Sequence, residues 1–145
     1  MLALAGALSI GLMGASGDSV SPGDSQFTHR SMTLMLQSIA DAEAVHPNAS
    51  GSVKTLAADV QRDELAMGSQ LASIASYYNI SVGTDLPKSQ AEASSFAAAQ
   101  SKSLAQLIAL FKDESLNGGG AQLRSFATEA LPILEKDLAA ARAAR

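Results

Sequence analysis

The sequence predicts an all-α fold, a four-helix bundle running up-down-up-down. Three observations predict it. Apolar residues recur at spacings of three and four through four separate runs. No run alternates apolar and polar residues over a useful strand length. The runs are separated by links containing Pro, Gly, Asn and Ser, which favour turns. The length of 145 residues suits one domain. With 47% apolar and 17% charged residues, the chain has enough material for a core and too little charge for a disordered polymer.

Residues 1–17 carry no charge, and their apolar run ends in small residues. The run is shorter than the ~20 apolar residues of a membrane-spanning helix. Ala15, Ser16 and Gly17 offer small side chains at a signal-peptidase site. The segment therefore reads as a signal peptide cleaved before Asp18, although no Lys or Arg follows Met1. The expected organisation is a signal peptide over 1–17 and one bundle domain over 18–145. The mature chain is expected to be exported and to have no transmembrane span.

In the first helix, Asp24 or Ser25 can cap the N-terminus by accepting from an orphan N–H. Met32, Met35, Leu36, Ile39 and Ala42 then share one face, and His46-Pro47 stops the run, because Pro disfavours helix in the preceding residue. The second helix carries Val53, Ala57, Val60, Glu64, Met67, Leu71, Ile74 and Tyr78 on an unbroken seam. Asn79 tolerates the left-handed conformation that closes a helix. Residues 80–88 read as an irregular link.

Ser89 and Glu92 have the spacing of a capping box that starts the third helix. Phe96, Leu104, Leu107, Ile108 and Phe111 point inward from it, and residues 117–120 (NGGG) end it. The fourth helix places Leu123, Ala127, Ala130, Leu134, Asp137 and Ala141 on one seam, flanked by Phe126 and Leu138. Pro132 inside it predicts a kink.

Several chemistries are disfavoured. Cys is absent, which removes thiolate nucleophiles and cysteine metal sites. A net charge of −4 with scattered cations does not attract nucleic acid. A two-metal bundle centre takes Glu-x-x-His on two helices, and the sequence offers that spacing only once, at Glu43 and His46. Gly118, Gly119 and Gly120 follow a helix and precede Ala121-Gln122, whereas a phosphate loop follows a strand and precedes Lys-Ser/Thr. No nucleophile–base pair is visible, so the chain does not read as an enzyme. His46 would place favourable charge at a helix C-terminus, and His29 would be solvated.

Glu64 and Asp137 are the informative exceptions. Each falls on an apolar seam, where a carboxylate is costly unless paired or neutralised. Two seams facing one core bring them together, to share a proton, hold a divalent cation, or bond to Tyr78, Lys102 or Ser103. The bland alternative is that the helices roll, both acids reach the rim, and Leu65 and Leu138 turn inward.

Several segments resemble a known family. Residues 53–57 (VKTLA) are similar to its V-K-x-F-A helix start, and Asp63-Glu64 stands where the family has Asp-His. Residues 71–75 (LASIA) resemble L-x-x-L-A, and Asn79-Ile80 through Leu86-Pro87 resembles its G-V…L-P link. Residues 109–114 (ALFKDE) are similar to A-L-F-x-x-E. Residues 123–127 and 130–134 resemble L-x-x-F-A followed by L-P-x-L. Over about residues 27–143, the order and spacing resemble the bacterial exported family called domain of unknown function four-one-four-two.

The resemblance implies a ferritin-like helical bundle in the periplasm, with no activity assigned. The family's three recurrent His positions fall here on Glu64, Leu104 and Asp137, so a His-based metal site is not carried over. The leading expectation is an exported, non-enzymatic bundle with a binding, structural or envelope-stress role, and no cofactor. The alternative is a degenerate ferritin-like metal-binding protein using Glu64 and Asp137.

Overall fold

The computed structural model describes residues 18–144 apart from His46, and leaves the side chain of Ala93 aside. The expected signal peptide and His46 thus lie outside the described residues. Four helices form: α1 (Pro22–Glu43), α2 (Gly51–Tyr77), α3 (Phe96–Asn117) and α4 (Ala121–Ala143), with a 3₁₀ turn (Ala93–Ser95) leading into α3. No strand occurs among the described residues, and no described helix is long and apolar enough to cross a membrane.

The helix ends show how local chemistry sets the boundaries. α1 is capped by Ser21 rather than by Asp24 or Ser25. Pro22 takes the first helical position, where its missing N–H is not needed, and Asp24 supplies the acidic half of a capping box closed by Ser21. Ser50 caps α2. Asn79 closes it at φ 57°, and the Ile80 N–H donates to the Ala75 carbonyl at 2.8 Å, as a left-handed helix stop requires.

The capping box expected at Ser89 and Glu92 does not form. The Ser89 hydroxyl donates instead to Asp41 Oδ1 at 2.8 Å, and the Gln90 and Ala91 N–H groups donate to the same oxygen at 2.7 and 3.2 Å. This places Ser89 in the link, pinned to α1, and delays α3. α4 runs through Pro132, which lies on the exposed outer face.

The helix directions correct the expected up-down-up-down order. Ser38, late in α1, faces Ser103, early in α3, at 3.1 Å. Asp24, early in α1, accepts from Gly119 and Gly120 beyond the end of α3. α1 and α3 are therefore antiparallel. Lys136, late in α4, meets Asp63 in α2 at 3.2 Å, while Gln122, early in α4, donates to the Tyr78 hydroxyl at the end of α2. α2 and α4 are therefore antiparallel too, and the order is up, down, down, up.

The link between α2 and α3 must return along the whole bundle. Extended at about 3.3 Å per residue, residues 78–92 reach about 50 Å, more than the roughly 33 Å length of α3. α1 packs on α2 and α3, and α4 packs on the same two helices.

The core is continuous through Met35, Leu71, Leu104, Leu107, Leu123 and Leu134, all fully buried. Phe111 anchors one end, with Phe27 edge-on at 5.0 Å and Phe126 at 5.4 Å between ring centres. Such pairs add to area burial because ring edges and faces carry opposite partial charge.

Candidate functional site

The inward stripe of α1 is largely polar. Asp24, Thr28, Ser31, Met35, Ser38 and Ala42 step by four, three, four, three, four, and all are buried. α3 repeats the feature: Gln100 and Glu114 lie on the seam that carries Phe96, Leu104, Leu107 and Phe111, and both are buried. The seam spacing in the sequence places Gln100 and Glu114 there, but a search for apolar residues alone passes over them.

Four of these groups come from the four helices at one level: Ser38, Glu64, Gln100 and Asp137. Gln100 Nε2 reaches the Ser38 carbonyl at 3.5 Å, and Ser38 Oγ sits 3.1 Å from Ser103 Oγ. The antiparallel contacts of α2 with α4, through Asp63 and Lys136, set Glu64 and Asp137 at the same height. Both carboxyls are 0% exposed, while Leu65 is on the outside and Leu138 is half-buried. The rolled arrangement that would have taken the acids to the rim is excluded. Of the partners expected for them, Ser103 joins the layer through Ser38, Lys102 is exposed, and Tyr78 lies at the other end of the bundle.

The layer holds more acceptor oxygens than donors. Both oxygens of Glu64, both of Asp137 and Oε1 of Gln100 are buried without a hydrogen-bond partner. Lys136 Nζ comes to 3.5 Å from Asp137 Oδ1, an ion-pair distance too long for a good hydrogen bond. Burial pushes the Glu64 carboxyl well above the usual range; the Ser38 hydroxyl offsets part of this, and the charges of Asp137 and Asp63 add to it. Burial and then the Asp63 charge push Asp137 up to about 6, with Lys136 opposing them. Both carboxyls therefore keep their protons to higher pH than solvated carboxyls do, and a cation brought beside them favours their charged forms. Beside them Asp63 resists its own burial by bonding to Arg62 and Lys136, and stays below its ordinary value.

A second buried acid cluster closes the opposite end, where α1 begins and α3 turns into α4. The Asp24 carboxylate accepts from the backbone N–H groups of Ser21, Gly119 and Gly120, and the Asp24 N–H donates to the Ser21 hydroxyl oxygen. Burial works against its charge, but these bonds and the Glu114 carboxyl hold it below the usual range. Glu114 is pushed up to about 8 by burial and by Asp24, so it carries the proton between them. Asp18 accepts from the Tyr78 hydroxyl and from the Ala121 N–H at 2.7 Å. The glycine turn is a helix–helix turn in which the Gly118 N–H donates to the Glu114 carbonyl and the Gly119 and Gly120 N–H groups donate to the Asp24 carboxylate.

The donor chemistry tests the fit to a metal. A carboxylate-bridged two-metal centre takes four acids and two His, and no group of three His, Asp or Glu converges among the described residues. A two-metal centre does not fit. A single hard cation accepts neutral and anionic oxygens together, and Glu64, Asp137, the Gln100 amide oxygen and the Ser38 hydroxyl are the residues that would hold it.

Comparison of the chain with protein-family models, with curated proteins and with solved structures found no match.

Proposed function

We propose that this is an exported, non-enzymatic binding protein of the bacterial periplasm, built on a ferritin-like bundle. Its binding element is the interior layer of Ser38, Glu64, Gln100 and Asp137. Support for the ferritin-like reading is the connectivity: two antiparallel hairpins joined by one long crossover, as in that class of bundle. Support for export and for kinship with the domain-of-unknown-function family lies in residues 1–17 and in the motifs of residues 53–134 set out above.

One observation carries the binding reading. Five buried acceptor atoms on three side chains have no hydrogen-bond partner, only one of them lies at ion-pair distance from a cation, and each such group costs about 1–3 kcal/mol when left unsatisfied. A scaffold with no use for these oxygens is more stable with apolar residues of the same size. A ligand that supplies positive charge or N–H donors satisfies them. The unpartnered oxygens also favour a second reading, in which a divalent cation is that ligand and Glu64 and Asp137 are its charged contacts.

Metal analysis of protein purified from the envelope fraction tests this directly, combined with melting curves in Ca²⁺, Mg²⁺ and Mn²⁺. Bound metal, with a melting temperature that rises with the ion and no longer does so in Glu64→Gln, supports the second reading. Mass spectrometry of the same fraction tests export: a mature N-terminus at Asp18 is expected, and an intact Met1 contradicts it.

A further inference from the structure

We propose that the groove between α1 and α2, beneath the crossover, binds a small apolar primary amine whose ammonium group pairs with Glu64. This rests on the reading of the interior layer as a binding element, and it names a ligand class and a route of entry. The groove has a volume of about 170 Å³. Met32, Met35, Ile39, Leu65 and Ala72 form its apolar walls, Glu64 lines it from the layer, and Thr84 of the crossover contributes to its roof. Gly68 keeps one wall low: a Cβ there would meet nothing nearer than Met32 Sδ at 3.8 Å. The crossover is fixed beyond the groove by the bonds of Lys88, Ser89, Gln90 and Ala91 to Gln37 and Asp41.

Volume, walls and charge each narrow the ligand. A cavity of about 150 Å³ lined by aliphatic side chains holds a benzene-sized molecule. The walls reward an apolar body, and two methionines let them adapt to its shape. The polar end of the ligand meets Glu64, whose two oxygens are unpartnered and 0% exposed, with Asp137 behind it. No Lys, Arg or His lines the groove, and Lys136, the cation beside Asp137, is shared between Asp137 and Asp63. An anion would face Glu64 with no cation in the groove to receive it. A neutral alcohol offers one donor. An ammonium offers three donors and a charge of the complementary sign.

Calorimetric titration of the full chain with benzylamine, with its neutral near-isostere benzyl alcohol, and with Ca²⁺ and Mn²⁺ tests the assignment. Benzylamine is expected to bind at least about tenfold more tightly than benzyl alcohol, the ratio that one charge-assisted hydrogen bond supplies. Glu64→Gln should bring the two compounds level. Ala72→Phe, which fills the groove and leaves the layer intact, should abolish binding of both, and it keeps the test decisive if Glu64→Gln does not fold. Equal affinities in the wild type, or amine binding untouched by either substitution, overturn the proposal. Cation binding without amine binding overturns it while leaving the interior layer a binding element. Binding of none of the probes removes both readings.

Discussion

The two buried acid clusters are built from the same residue types and reach opposite electrostatic states. At the glycine-turn end, Asp24 meets backbone N–H groups from Ser21, Gly119 and Gly120, and Glu114 holds a proton against it. In the interior layer, Glu64 and Asp137 project from mid-helix positions, where every nearby backbone N–H is already committed to its own helix. The difference teaches where a carboxylate can be structural. Helix ends and turns have free N–H groups to give it, and helix middles have none. The end cluster is therefore part of the fold's fastening, and the interior pair is a standing cost to it.

The largest effect expected from breaking this contrast is at Asp24. Asp24→Ala removes the capping box and both bonds to the glycine turn, and should lower the unfolding free energy by about 3 kcal/mol in denaturant titrations. Next is Glu64→Gln, which keeps the shape and removes the ionisable group. It should raise stability at pH 7.5 by about 1–2 kcal/mol and leave it nearly unchanged at pH 4.

The sign of that pH effect follows from linkage. Glu64 and Asp137 have folded-state values raised above their unfolded ones. Their stabilising contribution is complete below about pH 4 and is lost as pH rises, through about 6 for Asp137 and further for Glu64. The wild type should therefore melt lower at pH 7.5 than at pH 5, with a shallower slope in Glu64→Gln. The end cluster behaves differently. Its Asp24 contribution is lost as pH falls through a depressed value, and its Glu114 contribution is lost as pH rises toward about 8. That cluster is most stabilising between the two.

Smaller still is Gly118→Ala. A Cβ there would run into the Glu114 carboxyl and the Glu114 carbonyl oxygen, and overpacking of this kind at a turn is expected to cost about 1 kcal/mol. A shift of the chevron midpoint without a change in slope would show it. The smallest is Lys112→Ala, which breaks an exposed pair with Glu135 at 3.5 Å and should move stability by no more than about 0.5 kcal/mol.

The seams were legible because a helix that buries one face repeats every three to four residues. All the seam residues from Val53 to Ile74 in α2 and from Leu123 to Ala141 in α4 are buried, Glu64 and Asp137 among them. The left-handed stop at Asn79 was legible for the same local reason. The inward stripe of α1 was not, because Asp24, Thr28, Ser31 and Ser38 look like surface residues until the helices that cover them are in place. Direction was not legible either. Whether residues 78–92 turn back at once or cross the bundle depends on long-range partners, chiefly Asp41 for Ser89, Gln90 and Ala91. The short-range Ser89–Glu92 signal lost to that anchor.

The contrast between the clusters is tested most directly by a site-resolved carboxyl titration, following the ¹³C side-chain shifts of Asp24 and Glu64 by NMR. The account predicts that Asp24 is still ionised below its ordinary value of 3.8 and that Glu64 remains protonated well above its ordinary 4.5. Two carboxyls titrating together near their ordinary values would contradict it, since both would then be solvated and the interior layer would be no different from the surface.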